Sequence, residues 1–387
     1  MPIELATGGD RDMNLDESRL LEPQASGQDD EFERSLRPAR LEEFIGQQAL
    51  KDNLELILGG AKRRGEALEH ILLCGPPGLG KTTLANILSN EMKAELRTSS
   101  GPAIEHQGAL ASILMNLDTG GVFFIDEIHR LARPVEESLY PAMEDFTFDW
   151  VSGKGAGAQS LRLSLPRFTV IGATTRQGML SSPLRDRFGA VFRLEFYEPE
   201  DISAIIHRSA QILEISITEE AAALLALRSR GTPRIANRLL RRTRDWAQVR
   251  GNGEVDAGAV NATMQLLGVD QAGLDELDRR ILLTVIEKYN GGPVGIDTIA
   301  VSISEERETV EDVFEPFLMQ LGYLAADAGR LREASELQER ALALWRAFIP
   351  NTGWCPTILL ELADIDAALD RRERIPGRLQ QASEIFA

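Results

Sequence analysis

Residues 71–82 read Ile-Leu-Leu-Cys-Gly-Pro-Pro-Gly-Leu-Gly-Lys-Thr, a short apolar run followed by a glycine-rich loop that ends in lysine and threonine. The loop, Gly75–Thr82, matches the P-loop pattern in full and lies between a predicted strand and a predicted helix, as that pattern requires. Glycines let backbone N–H groups curl around phosphate, and the positive end of the following helix favours the same anion. The stretch predicts a nucleotide-phosphate site, and a purely structural glycine turn is the alternative.

Side chains of the loop indicate what it binds. Lys81 is expected to neutralise charge on the terminal phosphates, and the Thr82 hydroxyl is expected to coordinate Mg²⁺, which bridges phosphate oxygens during cleavage. Gly78, Gly80 and Thr83 complete the predicted nucleotide contacts of the loop. ATP and Mg²⁺ are therefore the predicted cofactors.

Two further apolar runs, residues 120–126 and 168–173, also read as buried strands, with helical patterns between them. Strands separated by helices imply an α/β fold with a doubly wound parallel sheet, whose ligands lie at the carboxyl ends of the strands. Functional groups are therefore expected directly after each run.

The second run ends at Asp126, and Glu127 follows it. One strand after a P-loop, Asp126 is expected to hold the Mg²⁺ shell through water, and Glu127 to polarise the attacking water. Two acids after a strand also occur as a helix N-cap or a solvated turn, which is the alternative. His129 is interpreted as a packed or hydrogen-bonded neighbour in preference to a metal ligand.

The third run leads into Thr174, Thr175 and Arg176, and then to Arg185 and Arg187. A guanidinium can stabilise transition-state charge on the nucleotide of a neighbouring subunit, so the paired arginines favour a ring with shared sites. Surface salt bridges are the alternative explanation for both arginines.

Charge is unevenly distributed along the chain, whose formal net charge is −18. Residues 1–33 hold ten acids against two bases, and residues 272–324 hold eleven against four. By contrast, eight arginines lie between Arg228 and Arg250, with Asp245 as the sole acid. Apart from Arg234, which opens a helix, most of these arginines are predicted to form a solvated, subunit-facing helix surface. The acidic balance is unusual for a protein that binds nucleic acid, because phosphate contacts normally supply most of the affinity.

Composition argues against several other classes. No apolar stretch approaches the ~20 residues that a membrane-spanning helix needs, and the first residues lack the basic and apolar regions of a secretory signal. The two cysteines, Cys74 and Cys355, provide neither a disulfide framework nor a metal-ligand spacing. A cytoplasmic protein of several domains is expected.

From Leu36 to Leu324, about three quarters of the chain, the sequence resembles the RuvB family of bacterial AAA+ motors, which drive Holliday junction branch migration. The motifs that carry the resemblance are LRPARLEEFIGQ, GPPGLGKTTLANILSNEM, TSSGPAIEHQGALASIL, FIDEIHRL, ESLYPAMEDF, GATTR, SPLRDRFG, LEFY, RGTPRIANRLLRR and LDRRILLTVIEKYNGGPVGIDTIA.

The resemblance implies a AAA+ large ATPase domain over residues 34–197, a small helical lid domain over 198–270 and a winged-helix domain over 271–324. Residues 1–33 are interpreted as a disordered acidic tail, and residues 325–387 as an atypical helical tail. A homo-oligomeric ring, a hexamer, that hydrolyses ATP is implied as well.

Residue roles follow from the same resemblance. Thr175 is similar to the sensor of the terminal phosphate, Arg187 to the finger that reaches the adjacent subunit, and Arg234 to the lid arginine that reports the nucleotide state. The other implied nucleotide contacts are Leu36, Arg37, Tyr197 and the backbone around Glu144, Asp145 and Phe146.

Residues 146–163 predict a β-hairpin with a glycine-rich tip, because apolar residues alternate on both sides of the tip. The family uses a hairpin at this point to bind its partner RuvA, and Gln159 stands where many relatives carry arginine. A plain structural hairpin is the alternative.

The chain departs from the family after Leu324. Relatives continue with an arginine-rich wing that contacts DNA phosphate, whereas this chain reads Ala325-Ala-Asp-Ala-Gly-Arg330, so the expected affinity for duplex DNA falls. Two amphipathic helical segments follow, which faintly resemble a tetratricopeptide unit. A frameshift in the coding DNA is an alternative, because GC-rich codons read one nucleotide later can encode Arg-Arg-Thr-Pro-Gly here.

Three functions are consistent with these features. The first is a RuvB-type motor that migrates Holliday junctions in recombination and repair, together with RuvA. The second is an ATP-driven remodeller with impaired DNA binding that acts on another partner through its C-terminal tail. The third is a nucleotide-regulated binding protein whose ring does not translocate. Stimulation of ATP hydrolysis by DNA distinguishes the three.

Overall fold

The computed structural model describes residues 34–152, 159–289 and 294–320. These residues form two compact units, one ending at Asp275 and the other beginning at Glu276. The predicted acidic tail (1–33), the glycine-rich hairpin tip (153–158) and the C-terminal tail (325–387) lie outside the described residues.

A parallel sheet organises the first unit. The strands in chain order are β1 (Ile71–Cys74), β2 (Leu96–Ser100), β3 (Val122–Asp126), β4 (Thr147–Ser152), β5 (Gln159–Ser164), β6 (Thr169–Thr174) and β7 (Ala190–Arg193). Five of them form the sheet, in the order β2-β3-β6-β1-β7, and every neighbouring pair is parallel. The three apolar runs of the sequence are β1, β3 and β6, which lie side by side. The predicted doubly wound parallel sheet is confirmed.

Helices connect and cover these strands. They are α1 (Gln48–Arg64), α2 (Lys81–Met92), α3 (Gln107–Met115), α4 (Arg133–Glu144), α5 (Ser182–Arg185), α6 (Pro199–Ile212), α7 (Glu219–Arg228), α8 (Pro233–Arg250) and α9 (Ala257–Leu266). Single turns of tighter helix occur at Leu41–Glu43, Ile128–Arg130 and Gln177–Met179. Polar N-caps define two lid helices, because Thr218 and Asp256 accept hydrogen bonds from the first turns of α7 and α9. Each such cap contributes ~1 kcal/mol.

Two hydrophobic cores lie on opposite faces of the sheet, because successive side chains of a strand point to opposite faces. Ile71 and Leu73 of β1 belong to one core, and Leu72 and Cys74 belong to the other. The first core continues into the lid helices, with Leu239 of α8 among its members. The lid is therefore packed into the same unit as the sheet, beside the carboxyl ends of the strands.

β4 and β5 form a separate antiparallel hairpin, in which Phe148 pairs with Leu163 and Trp150 with Leu161. Phe148 is fully buried in the second core. Trp150 and Leu161, which lie two residues closer to the tip on their strands, are exposed. The alternation of apolar residues predicted this hairpin, and the prediction is confirmed.

The second unit is helical over its described residues. Its helices are α10 (Glu276–Leu283), α11 (Ile296–Ile303), α12 (Arg307–Thr309) and α13 (Glu315–Gln320), with wider π-type turns at Thr284–Lys288 and Val310–Phe314. Arg280 Nη2 donates to the carbonyl of Ile303 at 2.7 Å and so joins α10 to the end of α11. Across all described ranges, no helix combines the length and the apolar character needed to cross a membrane.

Candidate functional site

A cleft of about 480 Å³ lies between the carboxyl edge of the sheet and the lid helices. Most of the residues predicted from the sequence line it, although they come from segments far apart in the chain. These residues are Leu36, Arg37, Gly78, Gly80, Lys81, Thr82, Thr83, Asp126, Glu127, Thr175, Tyr197 and Arg234. Four predicted residues are not among those that line the cleft: Glu144, Asp145, Phe146 and Arg187.

The P-loop backbone adopts conformations that only glycine takes readily. Gly75, Gly78 and Gly80 have φ values of 141°, 81° and 103°. A Cβ on Gly75 would lie 2.5 Å from the carbonyl oxygen of Leu194, so any side chain there would collide with backbone. The loop ends where α2 begins, at Lys81, and the N-cap Gly80 offers no side chain to the free N–H groups of the first turn. The cradle therefore fits an anion such as a nucleotide phosphate.

Lys81 is held inside this cradle. Its side chain is buried, and Nζ donates to the carbonyl oxygens of Gly75 at 2.7 Å and Pro76 at 2.8 Å. An ammonium away from water is stable only if its donors are satisfied, and these carbonyls contribute to that. The charge therefore stays in the loop, next to the N–H groups that would bind phosphate.

The acidic pair lies where β3 ends. Asp126 Oδ1 accepts from the backbone N–H of Glu127 at 2.9 Å, which orients the Asp126 carboxylate within its own turn. Glu127 has left-handed backbone, with φ 46° and ψ 44°. Such a conformation costs roughly 1–2 kcal/mol for a residue with a side chain, and strain of this kind is common at active sites. The Glu127 carboxylate is half-exposed and lies 3.2 Å from Arg130 Nη1.

The turn after β3 is joined to the end of β6 by His129. Its Nδ1 lies 2.9 Å from the hydroxyl of Thr174, and that hydroxyl also accepts from the backbone N–H of Arg176 at 3.0 Å. His129 is thus hydrogen-bonded, as the sequence predicted. Thr175, the predicted sensor, follows directly and lines the cleft.

The far side of the cleft is built by Leu36 and the lid. Leu36 is buried, and its carbonyl oxygen accepts from Arg208 Nη1 of α6 at 2.7 Å. The Tyr197 hydroxyl donates to the carbonyl of Leu79 at 3.1 Å, and burial raises the pKa of this phenol. Arg234 lies in the first turn of α8, facing the same cleft.

Several lining residues were not predicted from the sequence. Arg208 and Ile205 of α6 and Asn237 of α8 line the cleft. Helical periodicity indicates which residues of α6 and α8 share a face, but the face that meets the cleft depends on how the lid packs on the sheet. A motif search has no signal for that packing.

Arg187 and the three residues 144–146 lie outside this cleft. The Arg187 guanidinium is 3.1 Å from Glu144 Oε1, and its Cζ is 4.4 Å from the centre of the Tyr140 ring. Phe146 packs edge-on against Phe168 at 5.7 Å. The sequence-predicted site is therefore divided over two surfaces of one chain.

The arginines of 228–250 are less exposed than predicted. A solvated position is wrong for Arg228, Arg230 and Arg238, which are 4–7 % exposed, whereas Arg241, Arg242, Arg244 and Arg250 are not buried. Arg230 Nη2 is 2.7 Å from Asp275 Oδ2, an ion pair whose side chains are 2 % and 8 % exposed. A buried guanidinium requires such partners, which sequence spacing does not reveal.

Comparison with known proteins assigns the chain to a family. Residues 36–194 match the Holliday junction DNA helicase RuvB P-loop domain, 197–270 the RuvB AAA lid domain, and 271–336 the RuvB C-terminal winged helix domain. The last match extends past the domain boundary predicted at residue 324.

Most of the chain is similar to known RuvB proteins. It is 55% identical over 332 residues to the Holliday junction branch migration complex subunit RuvB of Dehalococcoides mccartyi, which covers 86% of this chain and 95% of that protein. The Thermotoga maritima RuvB Holliday junction branch migration motor is 48% identical, with a TM-score of 0.70 over 76% of this chain and 94% of that one. A mutant of the same Thermotoga protein gives a TM-score of 0.71, at 48% identity, over 76% of this chain and 93% of its own.

Proposed function

The chain belongs to the RuvB family of Holliday junction branch migration AAA+ ATPases, and from that membership we propose that its subunits form a hexameric ring and complete one another's ATP sites. The separation of Arg187 from the cleft carries this proposal. The other predicted catalytic groups line the cleft, whereas Arg187 lies beside Tyr140 and Glu144. In a ring, Arg187 of a second copy of the chain would reach this cleft, which already contains Lys81 and Arg234 of its own chain.

Within the cleft, each side chain has one task. The P-loop N–H groups and Lys81 bind the phosphates, and Glu127 accepts a proton from the attacking water. The contact of Glu127 with Arg130 is a half-exposed ion pair, worth about 0–1 kcal/mol, so the carboxylate is released at little cost. Thr82 would hold Mg²⁺ directly and Asp126 through water, and the metal would supply neutralisation of the phosphate charge that grows during cleavage.

The lid would report the nucleotide state. Arg234 and Arg208 line the cleft from two lid helices, so two cations of the lid face the space that a nucleotide would occupy. The backbone N–H of Tyr197 donates to the carbonyl of Gly231 at 2.9 Å, which ties the turn before α8 to the sheet domain. Loss of the terminal phosphate would weaken the Arg234 contact and allow the lid to move.

The motor would act on duplex DNA at four-way junctions in the bacterial cytoplasm, with RuvA as its partner. For RuvA we propose the hairpin of β4 and β5, because Trp150 and Leu161 form an exposed apolar pair that is 38% and 58% exposed. The acidic excess of residues 272–324 lowers the expected DNA affinity, so RuvA would contribute more of the attachment than in a basic relative.

Migration of a synthetic four-way junction tests this function. We expect ATP-dependent conversion of the junction with RuvA present, and little without it. ATP hydrolysis should rise when duplex DNA is added at low salt and fall back as salt increases, because phosphate contacts release counterions.

The same assay separates the other candidates. A rate of ATP hydrolysis that does not change when DNA and RuvA are added would favour a remodeller that acts on another partner. Negligible turnover under every condition would favour a nucleotide-regulated binding protein. Either result would contradict the proposed function as a branch migration motor.

A further inference from the structure

The surroundings of Arg187 follow from the spacing of helix α4. Glu136, Tyr140 and Glu144 are four residues apart, so they lie along one face of that helix. α5 starts after Ser181, and Arg187 lies two residues beyond its end. Three side chains of one helix face thus meet the segment that carries the predicted finger.

Tyr140 is fixed at its hydroxyl end. The hydroxyl donates to the Glu136 carboxylate and lies 3.2 Å from Ser181 Oγ. Ser181 Oγ also donates to Glu136 and accepts from the backbone N–H of Leu184 at 3.2 Å as the N-cap of α5. One network therefore fixes the Tyr140 ring and the start of the helix that leads to Arg187.

The guanidinium of Arg187 lies on that ring. Its Cζ is 4.4 Å from the ring centre, well inside the ~6 Å range of a cation–π contact. Its Nη1 donates to the carbonyl of Pro183 at 2.5 Å, and Nη2 is 3.1 Å from Glu144 Oε1. Only a fifth of the side chain is exposed, so an otherwise flexible arginine is confined.

An aromatic ring orients an arginine for phosphate binding better than a second carboxylate does. The ring attracts the charge of the guanidinium but accepts no hydrogen bond from it in the plane, so the ring does not compete with phosphate for the N–H donors. A carboxylate occupies those same donors. Glu144, which is about half exposed, can exchange its place for phosphate oxygen, while the ring keeps the plane in position.

We propose that Tyr140 is a positioning residue for ATP hydrolysis, whose ring orients the Arg187 guanidinium before it meets the nucleotide of a neighbouring subunit. This inference rests on the proposed role of Arg187. Positioning of the finger changes the transition state more than nucleotide binding, so kcat should respond and KM should not.

Three variants of the assembled protein test the ring itself. Tyr140→Leu removes the aromatic face, and we expect kcat to fall roughly three- to thirtyfold with KM unchanged. Tyr140→Phe keeps the face but loses the hydroxyl contacts with Glu136 and Ser181, so its kcat should fall less than that of Tyr140→Leu. Glu137→Gln, on the exposed side of the same helix in a surface pair with Arg133, is the matched control and should behave as wild type.

A graded series avoids any question of folding. Phenylalanine with one, two and three ring fluorines, incorporated at position 140, weakens the negative face at nearly constant volume. kcat should decrease stepwise along the series. Equal kcat across the series, or a loss in Tyr140→Phe as large as in Tyr140→Leu, would overturn the inference.

Different results would contradict the positioning role of Tyr140 and the finger role of Arg187 on which it rests. If Arg187→Ala retains full hydrolysis, the finger assignment is wrong and Tyr140 has nothing to position. If Arg187→Ala is inactive but Tyr140→Leu has wild-type kcat, the finger stands and the positioning role is excluded.

Discussion

Glu127 carries the residue-scale prediction that bears most directly on catalysis. Its strained backbone places a carboxylate at the cleft immediately after Asp126. Glu127→Gln is nearly isosteric but cannot accept a proton, so we expect hydrolysis to fall by roughly 10²–10⁴ while ATP still binds. Single-turnover hydrolysis and equilibrium nucleotide binding measure the two effects separately. Glu95→Gln, in an exposed pair with Arg97, should change neither, and unchanged hydrolysis in Glu127→Gln would remove this residue from the mechanism.

His70 predicts how stability depends on pH. Its Nδ1 accepts from the backbone N–H of Val170 at 2.9 Å, so Nε2 carries the proton and donates to the carbonyl of Met143 at 3.0 Å. Burial lowers the pKa of this imidazole, with the rings of Phe146 and Phe168 packed against it. A folded pKa below the unfolded value means that the unfolded chain takes up a proton first as pH falls. Stability is therefore complete above the unfolded pKa of about 6.5, and decreases below it by at most ~1.4 kcal/mol per pH unit.

Thermal unfolding between about pH 7.5 and pH 5 tests the His70 prediction. This range extends to both sides of the ordinary imidazole pKa of about 6.5. Replacement of His70 by glutamine should lower stability at neutral pH and also flatten the pH dependence. His207, which is less buried and contacts Glu219 at 3.0 Å, offers the matched glutamine control. An unchanged slope in the His70 variant would show that another group is responsible.

Some residues of the cleft could be predicted from sequence spacing, whereas others are recognised only from the way the lid packs on the sheet. Lys81 and Thr82 were predictable because a P-loop is a local structure, in which sequence distance fixes spatial distance. Asp126 was predictable because parallel strands end at one edge. Arg208 and Asn237 were not, because their approach depends on the contact of the lid with the sheet.

At the scale of elements, the turn between α7 and α8 is held by a buried ion pair. Arg230 has left-handed backbone, with φ 55°, and its guanidinium meets Asp275 at 2.7 Å. Asp275→Asn removes the negative partner, so we expect the free energy of unfolding to fall by ~3–5 kcal/mol. The urea-unfolding midpoint measures this effect.

Two comparisons make the ion-pair prediction specific. Asp245→Asn alters a partly exposed pair with Arg244 and should cost no more than about 1 kcal/mol. Substitution of both Arg230 and Asp275 by apolar residues of similar volume should recover part of the lost stability, since no charge stays buried. If Asp275→Asn is as stable as wild type, the pair does not hold the turn.

The hairpin of β4 and β5 carries the prediction about partner binding. Trp150 and Leu161 form its exposed apolar face, while Asp149 and Arg162 pair on the opposite face at 2.7 and 2.9 Å. Trp150→Ala should weaken RuvA binding roughly 30-fold or more, because buried tryptophans dominate the energetics of interfaces. ATP hydrolysis without RuvA should not change. Asp149→Ala tests the other face, and an equal loss of RuvA affinity there would contradict the proposed orientation.

For the molecule as a whole, three apolar runs predicted strands β1, β3 and β6 of the parallel sheet, and the alternation of apolar residues predicted the hairpin. Each pattern is local, so the sequence contained enough information for it. The burial of Arg228, Arg230 and Arg238 was missed, because a charge is buried only where distant residues provide a partner. The same reasoning applies to Arg187, whose predicted partner would belong to another copy of the chain.

Mixed rings test that last point. Lys81→Ala should abolish hydrolysis in its own cleft but keep an intact finger, and Arg187→Ala should keep an intact cleft but lose its finger. Each variant alone is expected to be inactive. In an equimolar mixture with random assembly, an Arg187→Ala cleft faces a Lys81→Ala finger at roughly one quarter of the interfaces, so hydrolysis should return toward that fraction. A finger that acted within its own subunit would give no recovery at any mixing ratio. Recovery that peaks at equal amounts would require a shared site, because only heterotypic interfaces contain both intact groups.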